Sequence, residues 1–583
     1  MSQASTSRLK KLISYLKPHY RQAGLGVLAL FVVNILGVYI PRLISRGIDD
    51  LKDANSLNDF TYYAVIIAVL ASVMWGIRMA SRIWLFGVGR QVEFDLKQEI
   101  FNHLLTLEPA YFSSRTVGDL INRATSDIDS IRRLLGFAVL SIANTIFAYA
   151  LTLPVMLAIN VKLTLLAISV YPFMLILVQL FSDKLRSQQL EVQEELSTLT
   201  DLIQEDMSGM SLIKIYSQED NEKLAFHGHN KQLLKANLGL SKTRNTIFPV
   251  LGGLASLSLL ILLAAGGGLL ESGELTVGNF VALTIYVERL VFPTALLGVT
   301  ITTYQRGEVS IDRLEEILKV QPQVKDTASF SLRSPVQGWL VARDLTYAYA
   351  GAKEAALDHV SFAIKPGETV AIVGPIGAGK STLANSIPRL LDIDIDQLFL
   401  DGYDVTQVNL NELRRAIAYV PQESFLFSTS IRNNIAYGDP TKTDAEIEVV
   451  AKQAQIYQEI LNFPQQYDTL VGERGITLSG GQRQRMSLAR ALLIDAPILI
   501  LDDALSSVDN QTATNILNNL SSERKKKTVI FISHQMSAAA TADRILVMER
   551  GRIVQTGTHQ ELLEQVGLYQ ELWNQQKLEE ILK

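Results

Sequence analysis

Apolar and polar positions divide the chain into two unlike halves. The stretches 23–40, 60–77, 134–161, 163–182 and 245–270 run without one ionisable residue except that Lys162 separates the third from the fourth, and 275–305 is broken only by Glu288 and Arg289. At 1.5 Å of rise per residue, each is long enough to cross ~30 Å of hydrocarbon as a helix. One such run alone would suit a buried core helix. Six within the first 305 residues leave no soluble surface to cover them, so the pattern predicts six transmembrane helices, at about 22–44, 60–88, 134–159, 161–183, 245–270 and 276–305, in a membrane domain spanning 1–320. The connections 79–133 and 183–244 are rich in Glu, Lys, Gln, Leu and Arg and nearly free of Pro. They read as helices that continue out of the bilayer into water. Within them, 111–120 and 209–216 break the pattern and predict short helices at turns: elbows that touch a cytoplasmic domain, or simple helix punctuation.

Charge sets the orientation. Arg8, Lys10, Lys11, Lys17 and Arg21 precede the first span with no acid among them, whereas Asp49, Asp50, Asp53 and Asp59 follow it. The N-terminus is therefore expected in the cytoplasm, and an even number of spans returns the chain there. Glu271 and Glu274 fit an outer loop between spans five and six. The first apolar run is too long for a signal-peptide core and no small-residue cleavage site follows it, so it is read as a retained span.

Composition narrows the classes. A chain of 583 residues exceeds the ~250–300 at which single cores stop growing. Only 19% of residues are charged, below the ~25% of soluble chains, and 48% are apolar, which excludes disorder over most of the length. With no Cys there is no disulfide framework, thiolate zinc site, thiolate-held iron–sulfur cluster or cysteine nucleophile. A formal charge of −5 gives no warrant for a nucleic-acid partner.

After Ile317 the composition changes. A polar linker at 321–335 leads into alternating strands and helices over 336–583. The β-branched run 369–373 precedes Gly374-Pro375-Ile376-Gly377-Ala378-Gly379-Lys380-Ser381-Thr382 and a helical segment, which is a phosphate loop in its required context. The glycines let backbone amides close around phosphate, Lys380 neutralises β/γ charge, and Ser381 is expected to hold Mg²⁺. Downstream, the apolar run 498–501 ends at Asp502, a carboxylate suited to Mg²⁺, and Asp503 either orients and deprotonates the attacking water or stands by on the turn. His534 ends another strand on the same side and is a candidate contact to the γ-phosphate, given those neighbours. At 478–485, Leu-Ser-Gly-Gly-Gln-Arg-Gln-Arg opens an Ala- and Leu-rich helix, so Ser479, Gly480, Gly481 and Gln482 form a second anion site without a Lys of its own.

Those residues resemble the signature of the ATP-binding cassette (ABC) family. Six spans followed by one cassette are similar to a half-transporter of the exporter type, over essentially the whole chain. The resemblance implies a helical membrane domain fused to an α/β P-loop nucleotide-binding domain that uses ATP and Mg²⁺. It also implies that Tyr349 stacks on adenine, that Gln422 senses Mg²⁺ and the membrane domain, that Ser506 to Asp509 form a loop crossing the dimer, and that Glu473 meets the coupling elbows. In the family, two cassettes sandwich two ATP molecules, each between the phosphate loop of one chain and the signature of the other. Hence the second anion site needs no Lys.

The pattern departs at Asp503, where active exporter cassettes usually carry Glu. An aspartate there is similar to the multidrug-resistance-like subunits of heterodimeric bacterial exporters, and with an intact signature it predicts division of labour: a weakened site of its own and a competent one completed for the partner. The expected function is ATP-driven export of amphiphilic or hydrophobic compounds across the cytoplasmic membrane. The alternative is a homodimeric lipid translocator with slow ATPase. Expected partners are a second half-transporter, membrane lipids and an amphiphilic substrate. A cysteine-protease leader is not expected in the 21 residues before the first span, and a soluble cassette protein is contradicted by the spans. Glu288 and Arg289, mid-span, are read either as contacts to a polar or cationic substrate or as a mutual pairing or an interhelical salt bridge.

Overall fold

The computed structural model describes residues 10–50, 57–326, 330–349, 351–472, 475, 478–522 and 527–582. It divides into two compact units: 115–320 with the residues up to Leu105, and 321–583 joined by the short segment Thr106–Ser114.

The first unit is helical throughout. Six helices have the length and composition to cross a membrane: Lys10–Asp50, Thr61–Leu104, Val117–Ile159, Val161–Ser208, Glu219–Glu271 and Val277–Leu318. Each is longer than the span predicted from hydropathy because the helical propensity of the charged connections carries the hydrogen-bond ladder well past the apolar run. Prolines at 41, 154, 249 and 293 lie inside these helices. The predicted elbows are short helices, Pro109–Ser113 and Val117–Asn122 in the first connection and Met210–Ile215 in the second. The first, Pro109–Ser113, belongs by contact to the second unit, where Glu108 accepts a hydrogen bond from the Gln323 backbone at 3.2 Å. In the second elbow, Leu212, Ile215 and Tyr216 are exposed.

The third span holds two turns of π-helix, Arg123–Asp127 and Leu134–Ala138. Along the sixth span Tyr286, Val287 and Leu290 are fully buried against Met174, Leu262 and Leu283 in one apolar cluster. Several polar side chains inside this unit are satisfied between helices: Tyr171 donates to the Val287 carbonyl at 2.7 Å, Tyr286 to that of Val38 at 2.6 Å, and Ser141 pairs with Thr300 at 2.8 Å. Such bonds remove the cost of a polar group in a medium without water.

In the second unit a six-stranded sheet has the order β10-β9-β3-β8-β7-β6, with β3 (Thr369–Val373), β6 (Ile417–Val420), β7 (Ile498–Asp502), β8 (Thr528–Ile532), β9 (Arg544–Glu549) and β10 (Arg552–Gly557). All neighbours from β9 to β6 are parallel. A four-stranded antiparallel sheet, β2-β1-β4-β5, is built from β1 (Leu340–Tyr347), β2 (Leu357–Ile364), β4 (Leu398–Leu400) and β5 (Tyr403–Asp404). Because side chains alternate along a strand, the parallel sheet feeds two cores. Ala371, Val373, Leu499, Leu501, Val529 and Phe531 face one, which includes the signature helix. Val370, Ile372, Ile498, Ile500, Ile530 and Ile532 face the other, against the antiparallel sheet and the helix that follows the phosphate loop.

Candidate functional site

Parallel pairing places the carboxyl ends of β3, β8 and β7 side by side, the edge at which open α/β sheets bind ligands. The phosphate loop leaves β3 there and enters the helix Lys380–Ser386. A side chain at Gly374 would run into the Met548 carbonyl and one at Gly379, at φ +94°, into that of Ala356, so the loop can close only with glycine at both. Lys380 folds back into the loop, its Nζ donating to the carbonyls of Gly374 and Pro375 at 2.8 Å each. Burial pulls its ammonium below the usual lysine range, against the attraction of Asp503 and Asp502.

Asp502, 3% exposed at the end of β7, accepts from Ser381 Oγ at 3.0 Å and from the Tyr419 hydroxyl at 3.2 Å. Burial pushes its carboxyl up, the two hydroxyls hold it down, and the charge of Asp503 adds to the rise. Tyr419, which also donates to Asn385 Oδ1 at 2.8 Å, was not predicted as a site residue. Its signal in sequence is a polar ring in the apolar strand β6, which pairs with β7 at Tyr419 and Ile500.

Asp503 stands at φ +49°, the left-handed region that few non-glycine residues occupy, and its N–H donates to the Ile532 carbonyl at 3.1 Å. Burial raises its carboxyl, opposed first by the charge of His534 on β8's continuation and then by Ser506. The structure thus groups Lys380, Ser381, Asp502, Asp503 and His534 at one sheet edge. Thr382 joins them, in contact with the Tyr349 hydroxyl at 3.3 Å, which sets the half-exposed Tyr349 ring beside the loop. Gln422 is exposed two residues beyond β6 and, among the described residues, makes no hydrogen bond to Ser381 or Asp502. Asp509 caps the helix Asn510–Ser522 by accepting from the Thr512 backbone at 2.9 Å. Glu473 lies outside the described residues.

The signature helix Gly480–Leu493 starts with a capping box: Ser479 Oγ accepts from Gln482 N at 3.2 Å and the Gln482 side chain accepts from Ser479 N at 2.9 Å. A methyl at Gly481 would lie 2.7 Å from the Ser507 carbonyl, so glycine lets the helix start approach the turn after Asp503. That turn is held by Gln484, also unpredicted: its amide donates to Ser506 Oγ at 2.9 Å and accepts from Ser507 N at 2.8 Å. Gln484→Leu removes both hydrogen bonds, at a cost of ~1–3 kcal/mol in all. The expected result is a loss in ATPase kcat of about 10- to 100-fold, with nucleotide affinity, read by a fluorescent ATP analogue, changed only a few-fold and Gln484→Glu restoring part of the rate.

In the membrane unit Arg289 donates to Asn34 Oδ1 at 3.1 Å and to the Asn34 carbonyl at 3.2 Å, with its guanidinium seated against Gly37, where no side chain would fit. Asn34 in turn donates to Asn144 at 3.2 Å. Arg289 is thus held across helices by a neutral amide of the first span and not by the acid of a salt bridge, among the described residues. Glu288 is exposed and has no ion pair among the described residues.

A glycine-rich loop and Lys-Ser-Thr helix beside a strand ending in Asp define a P-loop nucleotide-binding domain, here carried on one chain with six membrane-length helices. Residues 23–294 match the family model described as ABC transporter transmembrane region, and 357–506 the model described as ABC transporter. The chain is 33% identical to the probable multidrug resistance ABC transporter ATP-binding/permease protein YheI of Bacillus subtilis, over 98% of each. It is 32% identical to the multidrug resistance-like ATP-binding protein MdlA of Escherichia coli, covering 97% of this chain and 96% of the relative. The ATP-dependent lipid A-core flippase of Desulfotalea psychrophila is 31% identical, over 97% and 99%. Among solved structures, a bacterial Atm1-family ABC exporter with ATP bound superposes with a TM-score of 0.73 at 26% identity, over 95% of this chain and 98% of that one.

The chain belongs to the ABC transporter family, as an exporter whose membrane and cassette domains share one polypeptide. It is an integral inner-membrane protein with its nucleotide-binding domain in the cytoplasm, works in a dimeric assembly, and couples ATP hydrolysis to export.

Proposed function

We propose that this chain is one half of a heterodimeric multidrug-type exporter of amphiphilic or hydrophobic compounds, with its own ATP site weakened and its signature completing the partner's. The observation that carries this reading is Asp503: a carboxylate one methylene shorter than glutamate, on a backbone fixed at φ +49° and tied to Ile532, with little freedom to advance toward a water on the γ-phosphate. The names of YheI and MdlA support the multidrug class. The domains are taken as 1–320, a linker at 321–335 and the cassette at 336–583.

In this reading Lys380 exchanges its two carbonyl partners for β- and γ-phosphate oxygens. Ser381 and Asp502, already 3.0 Å apart, fit an Mg²⁺ ion that neutralises phosphate charge when bound. Among the described residues no three His, Asp or Glu side chains could hold an ion unaided, so the nucleotide and water supply the other oxygens. Asp503 takes the proton of the attacking water as its oxygen bonds to the γ-phosphorus and the bond to the bridging oxygen breaks. His534 contacts the γ-phosphate, Tyr349 stacks on adenine, Gln422 moves in on closure, and Ser479 to Gln482 and Asp509 serve the opposite pocket. The exposed Leu212, Ile215 and Tyr216 of the second elbow supply apolar surface for a partner's cassette. Glu288 is the candidate substrate contact, with Arg289 anchoring the sixth span on the first.

The test is ATP turnover by the purified chain alone and co-expressed with its partner half. Slow turnover alone and fast turnover together is the expected result; fast turnover alone refutes the division of labour. A homodimeric lipid translocator is the second reading, favoured by the likeness to a protein named as a lipid A-core flippase. Stimulation of the ATPase by defined lipids and not by amphiphilic drugs would select it.

A further inference from the structure

A cavity of about 590 Å³ lies in the membrane unit at the cytoplasmic ends of the third to sixth spans. Its charged lining is Arg186 on the fourth span, Arg244 on the fifth, Arg306 and Arg313 on the sixth, and Asp127 on the third. Arg186, Arg244 and Arg306 sit within four residues of the inner limit of an apolar run, at the level of lipid headgroups, and Asp127 and Arg313 lie about two helical turns farther into the cytoplasm.

Asp127 is buried at the end of the first π-turn of the third span, and its Oδ1 accepts from Ser310 Oγ at 2.7 Å. Its Oδ2 takes no hydrogen bond and lies 3.7 Å from Arg313 Nη1, an ion pair that offsets one arginine. Arg186, Arg244 and Arg306 are exposed to the cavity and have no ion pair among the described residues. The acids of the neighbouring cleft do not balance them. Glu93 and Asp129 are engaged by Lys97, Arg132 and Arg133 at 2.5 to 3.3 Å. Three cations therefore converge uncompensated. Leu185, Leu240 and Val299 line the same space, so it is charged and apolar at once.

We infer that this cavity is a binding site for the anionic headgroup of an inner-leaflet phospholipid. Arginine forks match phosphate oxygens, and basic pockets between membrane helices on the cytoplasmic side suit anionic lipids. A free anion would have no use for the apolar side of the lining, whereas an acyl chain leaving a headgroup does. The site goes beyond the export reading and depends on neither the nucleotide pocket nor the identity of the exported compound.

The test uses the full-length protein in neutral detergent, with bound phosphatidylglycerol counted by native mass spectrometry and phosphatidylcholine as reference. Each arginine near the surface is worth ~1 kcal/mol, a factor of about five, so Arg186→Gln with Arg244→Gln is expected to weaken phosphatidylglycerol binding about 30-fold. Arg186→Lys with Arg244→Lys is expected to retain it within a few-fold. Basal ATPase in neutral detergent stays unchanged in both, which shows that they fold. Equal binding of the two lipids, unchanged binding by the Gln pair, or equal loss in the Lys pair would overturn the site. Displacement of phosphatidylglycerol by millimolar inorganic phosphate would overturn the lipid as its source.

Discussion

Lys380→Ala is expected to reduce ATP hydrolysis at the chain's own site, measured in single turnover with the partner's site disabled, about 10²- to 10³-fold, the usual loss when one pre-organised donor to developing phosphate charge is removed. The ammonium is the one cation buried in the loop, held by two carbonyls at 2.8 Å that a phosphate oxygen would replace. Because burial already lowers its affinity for the proton, the site is arranged to regain that loss when phosphate arrives. Lys380→Arg should not rescue hydrolysis, since a guanidinium is bulkier than the space enclosed by Gly374 and Gly379. Wild-type turnover by Lys380→Ala would mean that the loop does not serve catalysis.

Asp503→Glu carries the second large effect, in the opposite direction. One added methylene moves the carboxylate forward from a backbone that cannot move, and a well-placed general base contributes about 10²- to 10⁴-fold. A gain of about ten-fold or more in kcat of the chain's own site, measured in single turnover with the partner's site disabled, is the expected result. The pH dependence follows from the same carboxyl. Burial raises it, a base must be ionised, and so the rate falls as pH drops through the raised value, placing the acid limb above the ordinary aspartate range. Unchanged turnover in Asp503→Glu would show that Asp503 does not limit the rate at the chain's own site.

What could be read in the chain was what is local. The phosphate loop, Asp502 and the signature each fall within a few consecutive residues, and six spans follow from runs of apolar side chains. The residues that escaped act across sequence distance. Tyr419 reaches Asp502 only because β6 pairs with β7, and Gln484 reaches Ser506 and Ser507 only because the signature helix packs on the turn after β7. Glu288 and Arg289 invited a mutual pairing as neighbours, but adjacent residues on a helix do not face one another. Arg289 found Asn34, 255 positions away, at a glycine that gives no sign in sequence of what it leaves room for.

Gln484 has a meaning that extends past its own chain. In the two-polypeptide sandwich proposed above, the helix it sits on would serve one ATP, while the aspartate whose turn it grips would serve the other. A single side-chain amide, a hydrogen bond deep on either side, is then the shortest mechanical link between two reaction centres, so damage to one should be felt as altered timing in its twin. In the proposed asymmetric pair, a pocket that merely holds its nucleotide would through it still set the rhythm of the pocket that splits one.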